Sequence, residues 1–207
     1  MSADGAAARG GGAGRPRAGG DPVEAFHGLR WRAAYLLASF GVYLVDQTSK
    51  AWAVRRLRLG RDVTVVPRFL DLAYSENPGI AFGQFQEGGA AGRWLLVALA
   101  CAAAVAVLTY FFRTPRQDDR VLGACALLLA GIAGNLTDRA RLGHVVDFIL
   151  LHADSHYWPT FNVADAAICI GAALLALDLI LEGRGRKAEA GKRGEGEGGR
   201  ESEARPA

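Results

Sequence analysis

Cysteine is scarce in this chain, and charge is missing from a long part of it. The 207 residues hold three cysteines, Cys101, Cys125 and Cys169. Each sits inside an apolar run, and an odd number so placed argues against a disulfide framework and for small apolar packing residues. The His-Glu-x-x-His signature of a zinc hydrolase is absent. So is any basic groove with interleaved aromatics, and the net charge of +3 gives no reason to expect a nucleic-acid partner. The most telling absence lies between Trp94 and Phe112, 19 residues without one charged side chain. At a helical rise of about 1.5 Å per residue, such a stretch spans a hydrocarbon core of about 30 Å. Soluble core helices do not need that length of unbroken apolar sequence. The class is therefore membrane protein. The mean hydropathy is only +0.12 because polar ends dilute an apolar middle.

Those ends set the domain boundaries. Residues 1–28 are rich in Ala, Gly and Arg, lack an apolar period and are expected to be a disordered arm. Residues 183–207 alternate basic residues with Glu and Gly and read as a solvated tail. Between them, residues 29–182 form one membrane domain. Four spans are expected, over about residues 31–54, 94–112, 121–136 and 163–181. The long first loop carries two β-like runs, Asp62-Val-Thr-Val-Val-Pro67 and Phe69-Leu-Asp-Leu-Ala-Tyr74, which predict a small sheet at the membrane surface. With up-down connectivity, fifteen of the 24 Lys and Arg fall on the side of the two termini, against nine on the other. That bias favours both termini in the cytoplasm. The cluster Arg55, Arg56, Arg58 and Arg61 runs against it.

An intramembrane carboxylate is costly and so is a functional candidate. Asp46, Asp138, Asp147 and Asp165 all fall near the outer level of the spans. Two carboxyls brought together cannot both ionise easily, and one then keeps a proton while the other stays charged. Such a pair can activate water and polarise a peptide carbonyl without a metal. Each residue also has a structural reading. Asp165 follows Asn162 by three positions, as in a helix cap. Asp147 has Arg139, Arg141 and His144 within reach as ion-pair partners. Asp46 and Lys50 are spaced for a pair on one helix face. His152 and His156 have the spacing of two metal ligands on a helix turn, but Asp154 and the following Tyr-Trp-Pro favour a loop, and no metal or other cofactor is expected.

Five segments in order resemble the lipoprotein signal peptidase (signal peptidase II) family. They are Asp46-Gln-Thr-Ser-Lys50, Asn77-Pro-Gly-Ile-Ala-Phe-Gly83, Gly134-Asn-Leu-Thr-Asp-Arg139, Gly143-His-Val-Val-Asp-Phe148 and Phe161-Asn-Val-Ala-Asp165. The likeness covers about residues 31–182. Ala130 stands where the family commonly has Gly.

The resemblance implies an all-α membrane protein of four transmembrane helices with a small extracytoplasmic β-cradle. It implies a multi-pass protein of the bacterial cytoplasmic (inner) membrane, with both termini cytoplasmic and the active site near the extracytoplasmic surface. The implied activity is aspartic endopeptidase cleavage of diacylglyceryl-modified prolipoproteins on the amino side of the lipidated cysteine. The catalytic pair carries over to Asp147 and Asp165. Asn77, Gly83, Asn135, Arg139 and Asn162 match positions that line or shape the site, and Asp46 and Lys50 match the first motif. The expected partners are diacylated prolipoproteins and membrane lipid, and a monomer is expected. The alternative from another class is a four-span transporter or channel using the same carboxylates. A presenilin-like protease would require Gly-x-Gly-Asp, which the chain lacks.

Overall fold

A computed structural model describes residues 22–79, 89–153 and 155–181. The chain order is α1 (Pro22–Arg56), β1 (Val63–Val66), β2 (Leu70–Asn77), α2 (Gly89–Arg113), α3 (Asp119–Leu142), β3 (Val145–Ala153), β4 (His156–Tyr157) and α4 (Val163–Leu181). Among the described residues, three helices are long and apolar enough to cross a membrane: Ala91–Arg113, Asp119–Leu142 and Val163–Leu181. The helix α1 is longer than any of these, but Arg30, Arg32, Asp46 and Lys50 interrupt its apolar sequence. It begins at Pro22, inside the stretch expected to be a disordered arm to residue 28. Proline at a helix start has its φ preset and no N–H to leave unpaired.

The central helix is α3. Of its most apolar stretch 61% is buried, against 6% for α2 and 17% for α4. The outer helices instead expose Leu37, Phe40, Leu44, Leu95, Leu99, Val105, Ile170 and Leu177. In water this would be an aggregation surface; against lipid it is the expected exterior. Glycines let α3 and α4 approach closely. A Cβ at Gly131 would strike the Ala164 carbonyl and the Ile168 side chain, and one at Gly171 would lie 2.8 Å from the Ala124 carbonyl oxygen. Small residues at such contacts are the usual means of packing helices in lipid. At the end of the bundle away from the sheet, Phe111, Val121, Leu122 and Cys125 form a buried cluster. There Arg32 donates to the Phe112 and Thr114 carbonyls at 3.1 and 2.9 Å, satisfying the last carbonyls of α2.

The two β-like runs of the first loop form β1 and β2. The sheet is larger than those runs suggested. It has four antiparallel strands in the order β1-β2-β3-β4, and its third strand, Val145–Ala153, is the segment that carries Asp147. Ser75 pairs with Asp147 and Asn77 with Val145. The start of β3 is buried on both faces, from Val145 to Phe148, so its sequence reads as a continuous apolar run rather than an alternation. A second cluster, Ala53, Leu57, Val146 and Phe148, seats the sheet on the end of α1.

The third helix also runs further than the expected end at Leu136. It reaches Leu142 and stops at Gly143, whose φ of 87° and N–H bond to the Arg139 carbonyl make a left-handed cap. Asn135, Asp138 and Arg139 therefore share one helix, and the cap turns the chain directly into β3.

Candidate active site

Asn77 is set by its own turn. The Gly79 N–H donates to Asn77 Oδ1 at 2.8 Å, closing an Asx-type turn, and Gly79 takes φ 78° as few other residues could. With its oxygen so engaged, Asn77 turns its amide NH₂ to Asp147 Oδ2 at 2.9 Å. A Cβ at Gly79 would press on the Arg139 guanidinium, 3.1 Å away, so the bare backbone makes room for that cation.

Asn162 joins the two aspartates. Its side-chain NH₂ donates to Asp147 Oδ1 at 2.6 Å. Its Oδ1 accepts the Asp165 N–H at 2.9 Å, and its own N–H donates to Asp165 Oδ2 at 3.2 Å. The last two bonds form a reciprocal capping box at the start of α4. The cap reading of Asp165 is thus correct for one carboxylate oxygen. The other, Oδ1, accepts from Asn135 Nδ2 at 2.7 Å. Asn162 is fully buried and Asp147 is 1% exposed, while Asp165 is only half-buried.

The partners of Asp147 are two neutral amides rather than Arg139, Arg141 or His144 in an ion pair. Burial pushes its carboxyl above the usual carboxylate range, opposed by the hydrogen bonds from Asn77 and Asn162, with the Asp165 charge adding to the rise and Lys50 opposing it. The Arg139 guanidinium lies within electrostatic reach of Asp165, Asp147 and Asp138, and its Nε is buried without a hydrogen-bond partner among the described residues.

A second layer supports this pair. Lys50 Nζ lies 2.9 Å from Asp46 Oδ2, 3.0 Å from Asp138 Oδ2 and 3.0 Å from Asn135 Oδ1, so each of its three donors has an acceptor. Asp46 Oδ1 accepts the Ala164 N–H at 2.9 Å, and Asp138 Oδ2 accepts the Val146 N–H at 3.1 Å. The first bond docks the first turn of α4 onto the end of α1, the second docks the first residues of β3 onto the end of α3, and Lys50 joins the two carboxylates. Gln47 completes the layer by donating to Asp46, the Gly134 carbonyl and Asp138 at 3.1, 3.2 and 3.1 Å. Sequence reasoning missed Gln47. Its only signal is its place inside the first motif, because its partners beyond Asp46 are 87 and 91 residues away.

Asp46, Lys50, Asn77, Asn135, Arg139, Asp147, Asn162 and Asp165 thus lie in one neighbourhood. Gly83 lies outside the described residues. His152 and His156 do not share a helix turn: they sit on β3 and β4, and the His152 ring stacks on Tyr157 with Nε2 3.0 Å from Asp71 Oδ2.

The chain is similar in sequence and fold to known proteins. The family model described as signal peptidase (SPase) II matches residues 38–181. A lipoprotein signal peptidase of Pseudomonas fluorescens is 40% identical over 149 residues, 72% of this chain and 88% of that protein. One of Syntrophotalea carbinolica is 43% identical over 150 residues, 72% of this chain and 91% of its own length. Two solved structures of a bacterial membrane enzyme superpose with TM-scores of 0.62 and 0.63 at 28% and 29% identity; they cover 72% and 71% of this chain, and 89% and 92% of their own. With a family model spanning the helices and the sheet, and relatives this similar over most of both lengths, the chain belongs to the lipoprotein signal peptidase (signal peptidase II) family.

Proposed function

We propose that the chain cleaves signal peptides from diacylglyceryl-modified prolipoproteins on the amino side of the lipidated cysteine, with Asp147 and Asp165 as the catalytic pair. The observation that carries the assignment is Asn162, which binds both carboxyls at once, one through its side chain and the other through its backbone. Family membership favours peptide cleavage over the transporter or channel considered from the sequence.

In this reading the scissile carbonyl sits between the two aspartates. The ionised carboxylate takes a proton from water, and the protonated one hydrogen-bonds the carbonyl oxygen as charge develops on it. Burial of Asp147 and the nearby Asp165 charge favour sharing a single proton, and the pair titrates as a unit. Asn77 and Asn135 fix one oxygen of each carboxyl. Arg139 balances the negative charge of the site, and Gly83 is carried over from its motif as a site-shaping residue. The Asp46–Lys50–Asp138 group holds the helix ends in register. In the membrane α1 is the fourth span, both termini are cytoplasmic, and the sheet lies at the extracytoplasmic surface with the signal helix entering between spans and the lipid chains left in the bilayer. The peptidase unit is residues 29–182, preceded by the first turns of α1, and it works as a monomer.

The test is incubation of the purified protein in detergent with a diacylated prolipoprotein. The expected result is a mass loss equal to the signal peptide, much slower cleavage of the unlipidated precursor, and activity that survives EDTA. Equal rates on both precursors would remove the lipid requirement, and intact precursor with a well-folded protein would remove the function.

A further inference from the structure

Beside the catalytic network, on the side where α1 meets the end of α3, lies a cavity of about 240 Å³ that the proposed reaction does not use. Lys50 and Asp138 form its floor, Val54, Leu142 and Val146 its apolar walls, and Arg55 and Arg141 flank it. The two arginines come from the last turns of different helices. A basic residue in a last turn complements the helix dipole, which explains each one alone. It does not explain why two of them converge on one apolar-walled cavity.

Neither arginine has a carboxylate within 4.0 Å among the described residues. Among the described residues Arg55 donates only to the Ala51 carbonyl of its own helix, at 3.2 Å. The buried carboxylates nearby are already engaged, Asp46 and Asp138 by Lys50, Gln47 and backbone N–H groups. Near the end of α3 the Ala140 carbonyl is served by Arg93, which donates to it at 2.6 Å. Both guanidiniums are exposed and open to an external anion.

The surroundings say what kind of anion. Leu142, 49% exposed, lines the cavity and offers contact to an acyl chain or glycerol backbone, and Trp52, 41% exposed, stands near the same end of α1. A partly exposed Trp near a span end is a common anchor at the level of lipid headgroups. Arg56 and Arg61, also exposed, add positive charge at the same end of α1.

We infer that the cavity between α1 and α3 is a binding site for an anionic glycerophospholipid of the outer leaflet, whose phosphate is held by Arg55 and Arg141 and whose upper acyl chain lies along Val54 and Leu142. A guanidinium fork matches a phosphodiester better than an ammonium does, and charge-assisted bonds of this kind are the stronger class. The site explains a basic cluster that runs against the charge bias of the spans: four arginines between residues 55 and 61 face the translocated side because they meet anionic headgroups there. A lipid held at this place would brace the end of α1 that carries Lys50.

The outer-leaflet assignment rests on the orientation proposed above, but binding in detergent depends neither on sidedness nor on cleavage, so the two ideas fail separately. The experiment is native mass spectrometry of the full chain in detergent, titrated with phosphatidylglycerol and, in parallel, phosphatidylcholine. Phosphatidylglycerol is expected to be retained about tenfold more strongly, and R55Q/R141Q to lose that preference while still cleaving substrate in lipid-free detergent. Arg116→Gln, on the turn between α2 and α3, is expected to change nothing. Equal retention of the two lipids by the wild-type chain would overturn the site whatever the variants do. So would an unchanged preference in R55Q/R141Q. Displacement of the lipid by excess inorganic phosphate would make the cavity a free-anion site and overturn the lipid assignment.

Discussion

Asp147 and Asp165 differ in how they are held, and that difference makes the residue-scale predictions specific. Asp147→Asn and Asp165→Asn are each expected to lower cleavage of a diacylated precursor by about 10²–10⁴-fold or more, because an amide neither accepts a proton as a base nor supplies one as an acid. The double variant should be scarcely worse than either single one, since the carboxyls act together. A well-folded Asp165→Asn with near-normal turnover would leave Asp165 only its cap at the start of α4. Asp138→Asn is the contrasting case. Its carboxylate is spent on Lys50, Gln47 and the Val146 N–H, so its loss should cost about 1–3 kcal/mol of stability and slow the reaction without abolishing it. Burial also gives Asp147 a pH signature. A carboxyl whose folded-state pKa is raised supports the fold below its unfolded value, and that support is lost as pH rises through the folded value. Asp147→Asn removes this titration. The Tm of Asp147→Asn relative to the parent should therefore climb from about pH 4 toward neutrality, measured by thermal unfolding in detergent. A difference that does not change with pH would mean that Asp147 ionises in the fold as it does in water.

At the scale of elements, the site depends on three chain ends meeting: the C-terminal end of α1, the α3-to-β3 turn and the first turn of α4. Gly134 is where α3 touches both of the others. A methyl there would meet the Asp46 carboxylate and come within 3.1 Å of the Ala164 side chain. Gly134→Ala should therefore loosen the Asp46 bond to the Ala164 N–H and shift the helix that begins two residues before Asp165. The expected cost is about 1–3 kcal/mol of stability together with a fall in kcat. Unfolding and turnover measured on one preparation would check this, and an unaffected variant would show that α4 is docked by other contacts. The elements themselves were unequally legible in the sequence. The charge-free run at Trp94 and the apolar run after Asn162 gave α2 and α4 closely, because lipid-facing helices need little beyond apolar length. The end of α3 was placed too early, because Thr137, Asp138 and Arg139 look like loop residues until their buried partners on α1 are known. β3 looked like an undefined apolar segment, because a strand buried on both faces loses its alternation. The site residues were readable through their motifs. The bonds among them were not, since Lys50 to Asn135 and Asn77 to Asp147 span 85 and 70 residues.

The whole molecule turns on α1, the helix whose composition argues against its crossing a membrane. Its Asp46, Gln47 and Lys50 would each be costly in lipid on an isolated helix. Here none of them faces lipid alone. Asp46 and Lys50 are buried and pair with each other, and their remaining partners are Gln47, residues of α3 and the start of α4. The exposed apolar positions of the same helix are Leu37, Phe40, Leu44 and Val45. On the proposed four-span arrangement the polar face is thus satisfied by the bundle and the apolar face by the bilayer, and α1 would span as a member of the assembly rather than by its own hydropathy. This makes a topological prediction. In a chain freed of Cys101, Cys125 and Cys169, a cysteine replacing Arg61, after α1, should react with a membrane-impermeant maleimide in intact cells. Cysteines replacing Arg30, near the start of α1, and Arg116, between α2 and α3, should react only after permeabilisation. All three positions are exposed, so access is decided by side and not by burial. Labelling of Arg30→Cys and Arg61→Cys from the same side would mean that α1 does not cross. Lys50 would then be carried to the site along the membrane surface, and the four-span arrangement with both termini in the cytoplasm would fall.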